Sequence, residues 1–94
     1  MYRLSCEELE LLNNIYDMNL IDILENNKLS IFFIRNFILN SDFQFLESES
    51  LIDYSIIGLL QSHINLEELK TMEIDEGLVN YYVNFEKFMN NKTF

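Results

Sequence analysis

The chain has no proline, no alanine and no tryptophan, and only two glycines, Gly58 and Gly77. A β-sandwich or barrel of this length would need many tight turns, and tight turns draw on glycine and proline. Their scarcity favours helices joined by short corners rich in Asn and Ser. Cys6 is the one cysteine, so an intrachain disulfide and a thiolate zinc cage are both excluded. His63 is the one histidine, which leaves a catalytic triad or a histidine metal pair without members. Positive charge is also scarce, with six basic residues against sixteen acidic ones and a formal net charge of −10.

That balance disfavours direct contact with nucleic acid or with an anionic membrane, both of which attract cationic surfaces. It favours a partner protein with a basic surface. Hydrophobic residues make up 49 % of the 94 residues and aromatics 14 %, which is too apolar for disorder and suits one small domain over residues 1–94. The most apolar stretch, Ile31 to Leu39, is interrupted by Arg35 and Asn36 and falls far short of the roughly 20 residues a membrane span needs. The N-terminus MYRLSCEELELL is acidic and lacks the pattern of a secretory signal. The expected location is cytoplasmic, in a host cell if the source is viral.

Hydrophobic spacing predicts a compact all-α globule of six or seven short helices, packed layer on layer as a helical bundle. Ser5 and Glu8 form a capping box before a helix over about 6–16, with Leu9, Leu12 and Tyr16 on its apolar face and Leu11 and Ile15 beside them. Asn19 caps a short helix carrying Leu20, Ile23 and Leu24. Asn26 and Asn27 stop it by accepting a left-handed backbone. Ser30 caps the helix Ile31 to Leu39, expected to be central and most buried, with Arg35, Asn36 and Asn40 marking its wet side. Ser41 to Gln44 reads as a second capping box, opening a short helix through Glu47. A helix from Leu51 to His63 should bury Ile52, Ile56, Leu59, Leu60 and His63, leaving Asp53, Gly58, Gln61 and Ser62 outside. Asn65 starts a helix ending near Met72. The last helix, Glu76 to Met89, carries Leu78, Tyr81, Tyr82, Phe85, Phe88 and Met89 on one face, with Asn80, Asn84 and Lys87 facing out.

Asp42, Phe45, Leu46 and the run Leu51-Ile52-Asp53-Tyr54-Ser55-Ile56-Ile57 resemble a segment of the phosphatidylinositol phosphate kinases. The resemblance implies that Asp53 is an active-site carboxylate. It covers Asp42 to Ile57 only, and the glycine-rich loop and cationic groups that phosphoryl transfer requires have no counterpart. The segment is therefore read as an amphipathic helix. Cys6, in a first turn beside Glu7 and Glu8, is read as structural rather than as a reactive thiol.

The densest acidic cluster holds Glu67, Glu68, Glu73, Asp75 and Glu76. Its spacing is not that of a calcium loop, so no metal site and no cofactor are expected. Smaller patches are Glu47, Glu49 and Asp53, and Glu7, Glu8 and Glu10. The expected partner-binding residues are Glu67, Glu68, Glu73, Asp75, Glu76, Tyr81, Glu47 and Glu49. Of the adjacent Tyr81 and Tyr82, helical geometry lets only one face inward. The expected function is non-catalytic: an inhibitor, immunity or anti-defence protein docking on a basic site of a larger protein. A nucleic-acid mimic that blocks a DNA- or RNA-handling enzyme is an alternative. A self-associating helical adaptor, as a homo-oligomer or small structural subunit, is another.

Overall fold

The computed structural model describes residues 4–92, with side chains described over 4–84. The described residues form helices and no strand. In chain order these are α1 (Cys6–Asn13), a 3-10 turn (Ile15–Asp17), α2 (Leu20–Asn26) and α3 (Ile31–Phe33), which runs straight into a π-helical turn (Ile34–Ile38). A 3-10 turn (Ser41–Phe43), α4 (Glu47–Ser50), α5 (Tyr54–Leu60), α6 (Leu66–Thr71) and α7 (Glu76–Lys92) follow.

The expected centre is found where the hydrophobic spacing put it. Phe32, Phe33, Ile34, Phe37 and Ile38 of α3 and the π turn are all buried. Phe33, Ile34, Phe37 and Ile38 form one continuous cluster with Leu20, Ile23 and Leu24 of α2, Phe43, Ile57 of α5, Leu69 of α6 and Val79 of α7. Each fully buried side chain of this size contributes about 1.5–3 kcal/mol by leaving water. The π turn is closed by the Leu39 amide donating to the Ile34 carbonyl at 2.9 Å, five residues back. Asn36 and Asn40 do not mark a wet side; both are buried. Their amides donate to the carbonyls of Phe32 (2.8 Å) and Asn36 (2.9 Å), so main chain replaces water as their partner.

Helix ends depart from expectation for related reasons. α1 stops at Asn13, and the Asn14 side chain donates to the Glu10 carbonyl at 3.1 Å; the 3-10 turn then still delivers Ile15 to the core, while Leu9 stays exposed. α2 ends on extended backbone at Asn27 (φ −137°), not on a left-handed residue. Asn26 and Asn27 instead donate to the carbonyls of Asp22 and Ile23. The expected capping box at Ser41 is replaced by Asn40, whose Oδ1 accepts from the Asp42 amide at 3.0 Å. Gln44 meanwhile donates to the Ile38 carbonyl, an orphan at the end of the π turn. Asp53 caps α5, its Oδ1 accepting from the Ile56 amide, so the helix starts later than expected and ends at Leu60. The face of α5 that turns inward centres on Ile57, which leaves Leu59 at 81 % exposure, and Gln61, just past the helix end, is buried.

Three polar side chains tie the helices to one another. Glu8 completes its capping box with Ser5 and also accepts from the Ser30 amide (3.0 Å) and hydroxyl (2.7 Å), linking α1 to the start of α3. Gln61 accepts from the Leu29 amide and donates to the carbonyls of Leu24 and Asn27, fastening α5 to the end of α2. Glu49 is 2 % exposed. One of its oxygens accepts from the Leu20 amide at 2.8 Å, in the first turn of α2; the other accepts from the amides of Phe45 (2.9 Å) and Leu46 (2.8 Å). Each amide loses its partner when that carboxylate is removed, at about 1–3 kcal/mol for the buried Leu20 amide and less for the partly buried amides of Phe45 and Leu46. Glu49→Ala should therefore lose about 3 kcal/mol or more in urea unfolding. The neighbouring, exposed Glu47→Ala should change stability by about 0.5 kcal/mol or less. Equal losses from the two would show that Glu49 is not a structural tie.

Candidate docking surface

The acidic segment from α6 into α7 is exposed but firmly held. Asn65 Oδ1 accepts from the amides of Glu67 (3.0 Å) and Glu68 (3.1 Å), which puts both carboxylates at the positive end of the helix dipole. Lys70 meets Glu67 at 3.5 Å and lies 5.5 Å from the Tyr54 ring centroid. Gly58 of α5 lets α6 come close: a Cβ there would stand 3.1 Å from Leu66 Cδ1. Beyond α6, Arg35 Nε donates to the Met72 carbonyl at 2.8 Å, and the Asp75 amide donates to Asn36 Oδ1 at 2.6 Å. The π turn thus pins the connection on both sides of Glu73. Asp75 in turn caps α7, its Oδ1 accepting from the Leu78 amide at 3.2 Å.

Glu67, Glu68, Glu73, Asp75 and Glu76 are all exposed, along α6, the connection that follows it and the first turn of α7. Tyr81, expected on the apolar face as well as at the docking surface, is 64 % exposed; Tyr82 takes the inward position beside Val79 and Val83. Phe85, Lys87, Phe88 and Met89 lie outside the residues whose side chains are described. Glu47 is exposed on α4, apart in sequence from this segment. Glu49 is withdrawn from the surface altogether, because its carboxylate is buried and engaged by three amides, out of a partner's reach. Glu8 is likewise inside the fold, while Glu7 and Glu10 are outside.

Asp53, the residue picked out by the kinase-like segment, is an exposed helix cap. His63 is exposed rather than buried and lies past the end of α5. Its Nε2 stands 2.6 Å from the Leu29 carbonyl, and a carbonyl can only accept, so Nε2 carries the hydrogen. A 290 Å³ cleft runs beside Asn26, Lys28, Gln61 and His63, where Gln61 and His63 are already engaged with main-chain groups. Among the described residues no three His, Cys, Asp or Glu side chains converge to hold a metal ion. No helix there is long and apolar enough to cross a membrane.

Sequence reasoning missed one surface feature. Phe45, Leu46 and Leu51 are 62 %, 50 % and 68 % exposed around α4. They had no distinguishing signal, because period counting assigns isolated apolar residues to a core. Comparison with protein-family models, curated proteins and solved structures found no match, so the functional argument rests on this geometry.

The tyrosine pair carries a pH dependence. The rings of Tyr81 and Tyr82 meet edge to face at 5.1 Å, and Tyr82 also meets Phe37 at 5.7 Å. Burial pushes the Tyr82 hydroxyl above its ordinary value of 10.0, and neighbouring Tyr81 adds to the rise. The folded state therefore prefers neutral Tyr82. This contribution is complete below the unfolded value and is lost as pH rises through the folded one. Thermal melts between about pH 9 and 11 should show falling stability, with a shallower fall in Tyr82→Phe than in Tyr81→Phe. Identical slopes for the two variants would remove Tyr82 as the source.

Proposed function

We propose that this protein acts by binding rather than by catalysis, placing the α6–α7 acidic face against a basic site on a larger protein, in the manner of an inhibitor, immunity or anti-defence protein. The observation that carries the reading is the presentation of Glu67, Glu68, Glu73, Asp75 and Glu76, all exposed on a segment whose main chain is tied down by Asn65, Arg35 and Asn36. Surface charge by itself serves solubility. Charge on an ordered backbone also sets a pattern, which raises association rates and selects partners of complementary sign. Tyr81, exposed on the helix that follows, suits such a surface because a tyrosine brings large contact area with few rotamers to freeze.

The test is a pull-down from native-host lysate, with nuclease present and salt varied. It compares the wild type with a quadruple reversal of Glu67, Glu68, Glu73 and Glu76 to Lys. Asp75 is left intact because it caps α7. One stoichiometric basic protein should be retained by the wild type, weakened by salt, and bound at least about tenfold less tightly by the reversal variant, whose circular dichroism is unchanged. Equal retention by both proteins would refute the reading.

A further inference from the structure

The corner around α4 has features of a second, more specific contact. Phe45, Leu46 and Leu51 expose apolar side chains within seven residues of one another. Phe45 is the outermost member of an aromatic ladder that leaves the core: Phe37 meets Phe43 at 5.2 Å, Phe43 meets Tyr16 at 5.6 Å, and Tyr16 meets Phe45 at 5.3 Å. Beside it lies a cleft of 230 Å³ between the Tyr16–Asn19 turn and Phe45-Leu46. The backbone here is fixed. Both exposed residues, Phe45 and Leu46, give their amides to buried Glu49, which also holds the first turn of α2. Apolar side chains on an immobilised main chain lose little further freedom on binding, which favours affinity.

The charge around the corner selects the occupant. Asp17 lines the cleft, Glu47 follows Leu46 directly, and both are exposed. A second copy of this chain would bring another net charge of −10 to that rim, which opposes self-association. We propose that the corner docks a basic segment of a partner protein. One apolar side chain of that segment seats in the cleft against Tyr16 and Phe45, and flanking lysine or arginine meets Asp17 and Glu47. This deepens the binding reading by giving the partner an apolar anchor, on residues separate from the α6–α7 acidic face.

A phage-displayed library of random 12-residue peptides is selected on the intact protein. Enriched peptides are then measured by fluorescence polarisation against three proteins: wild type, a triple variant Phe45→Ser, Leu46→Ser and Leu51→Ser, and the α6–α7 quadruple charge reversal. Phe45 and Leu51 are mostly exposed, so the triple variant should keep its fold, checked by thermal melting. The expected result is a family of peptides with one bulky apolar residue flanked by lysine or arginine. These should bind the triple variant at least about tenfold more weakly and the charge reversal nearly as well as wild type. Peptides that lose binding only on the charge reversal would overturn the corner while leaving the α6–α7 reading in place. Peptides equally tight on all three proteins, variant-sensitive peptides lacking basic residues, or an enrichment no greater than on bare support would also overturn it. So would a wild-type dimer in sedimentation that the triple variant abolishes. Should the triple variant unfold, Asp17→Lys with Glu47→Lys supplies the same contrast, since both are exposed charges; undiminished binding by that pair would overturn the proposal.

Discussion

A carboxylate inside a protein must be met by hydrogen-bond donors, because desolvating it without them costs several kcal/mol. Glu8 and Glu49 satisfy that condition by collecting amides and a hydroxyl from segments that have lost their own acceptors. The demand runs in both directions. Short helices have a high proportion of unpaired terminal groups, and a chain built from helices of three to eight residues before α7 is mostly helix ends. Two glutamates and Gln61 meet those ends from elsewhere in the fold. The layout of α1, α2, α3 and α5 follows from which end each side chain reaches.

The apolar interior was legible in the sequence, and these ties were not. Ile31 to Leu39 reads as the central element from its density of Phe and Ile, and Phe33, Ile34, Phe37 and Ile38 are indeed fully enclosed. The Ser5–Glu8 capping box was legible because both partners lie within four residues. Glu49 reads as surface charge, since nothing local separates it from exposed Glu47. Its partner Leu20 lies 29 residues away. Gln61 reads as outward for a similar reason: its partners Leu29, Leu24 and Asn27 lie 32, 37 and 34 residues away. Periodicity reports the face of a long helix well and of a one-turn helix poorly, because a single turn samples each direction only once.

The division of labour among the carboxylates bears on function. Those inside hold the scaffold, and Glu67, Glu68, Glu73, Asp75 and Glu76 stay exposed on a segment tied by its main chain. Both kinds meet near α4, where buried Glu49 fixes the main chain that presents Phe45 and Leu46, and exposed Glu47 and Asp17 colour the field around them. The same residue type therefore holds the main chain from beneath and sets a negative rim above it. The proposed binding corner needs no moving part.

Asparagine has a comparable double use, with a consequence for how the protein ages. Asn19 and Asn65 accept amides at helix starts through their side-chain oxygens. Asn14, Asn26, Asn27 and Asn36 donate through their side-chain nitrogens to carbonyls four residues back. Slow hydrolysis of an asparagine amide leaves aspartate. At Asn19 and Asn65 the change preserves the acceptor. At Asn26, Asn27 and buried Asn36 it sets a negative oxygen against a carbonyl oxygen. Old molecules would thus be damaged at the end of α2 and inside the π turn, and spared at the starts of α2 and α6.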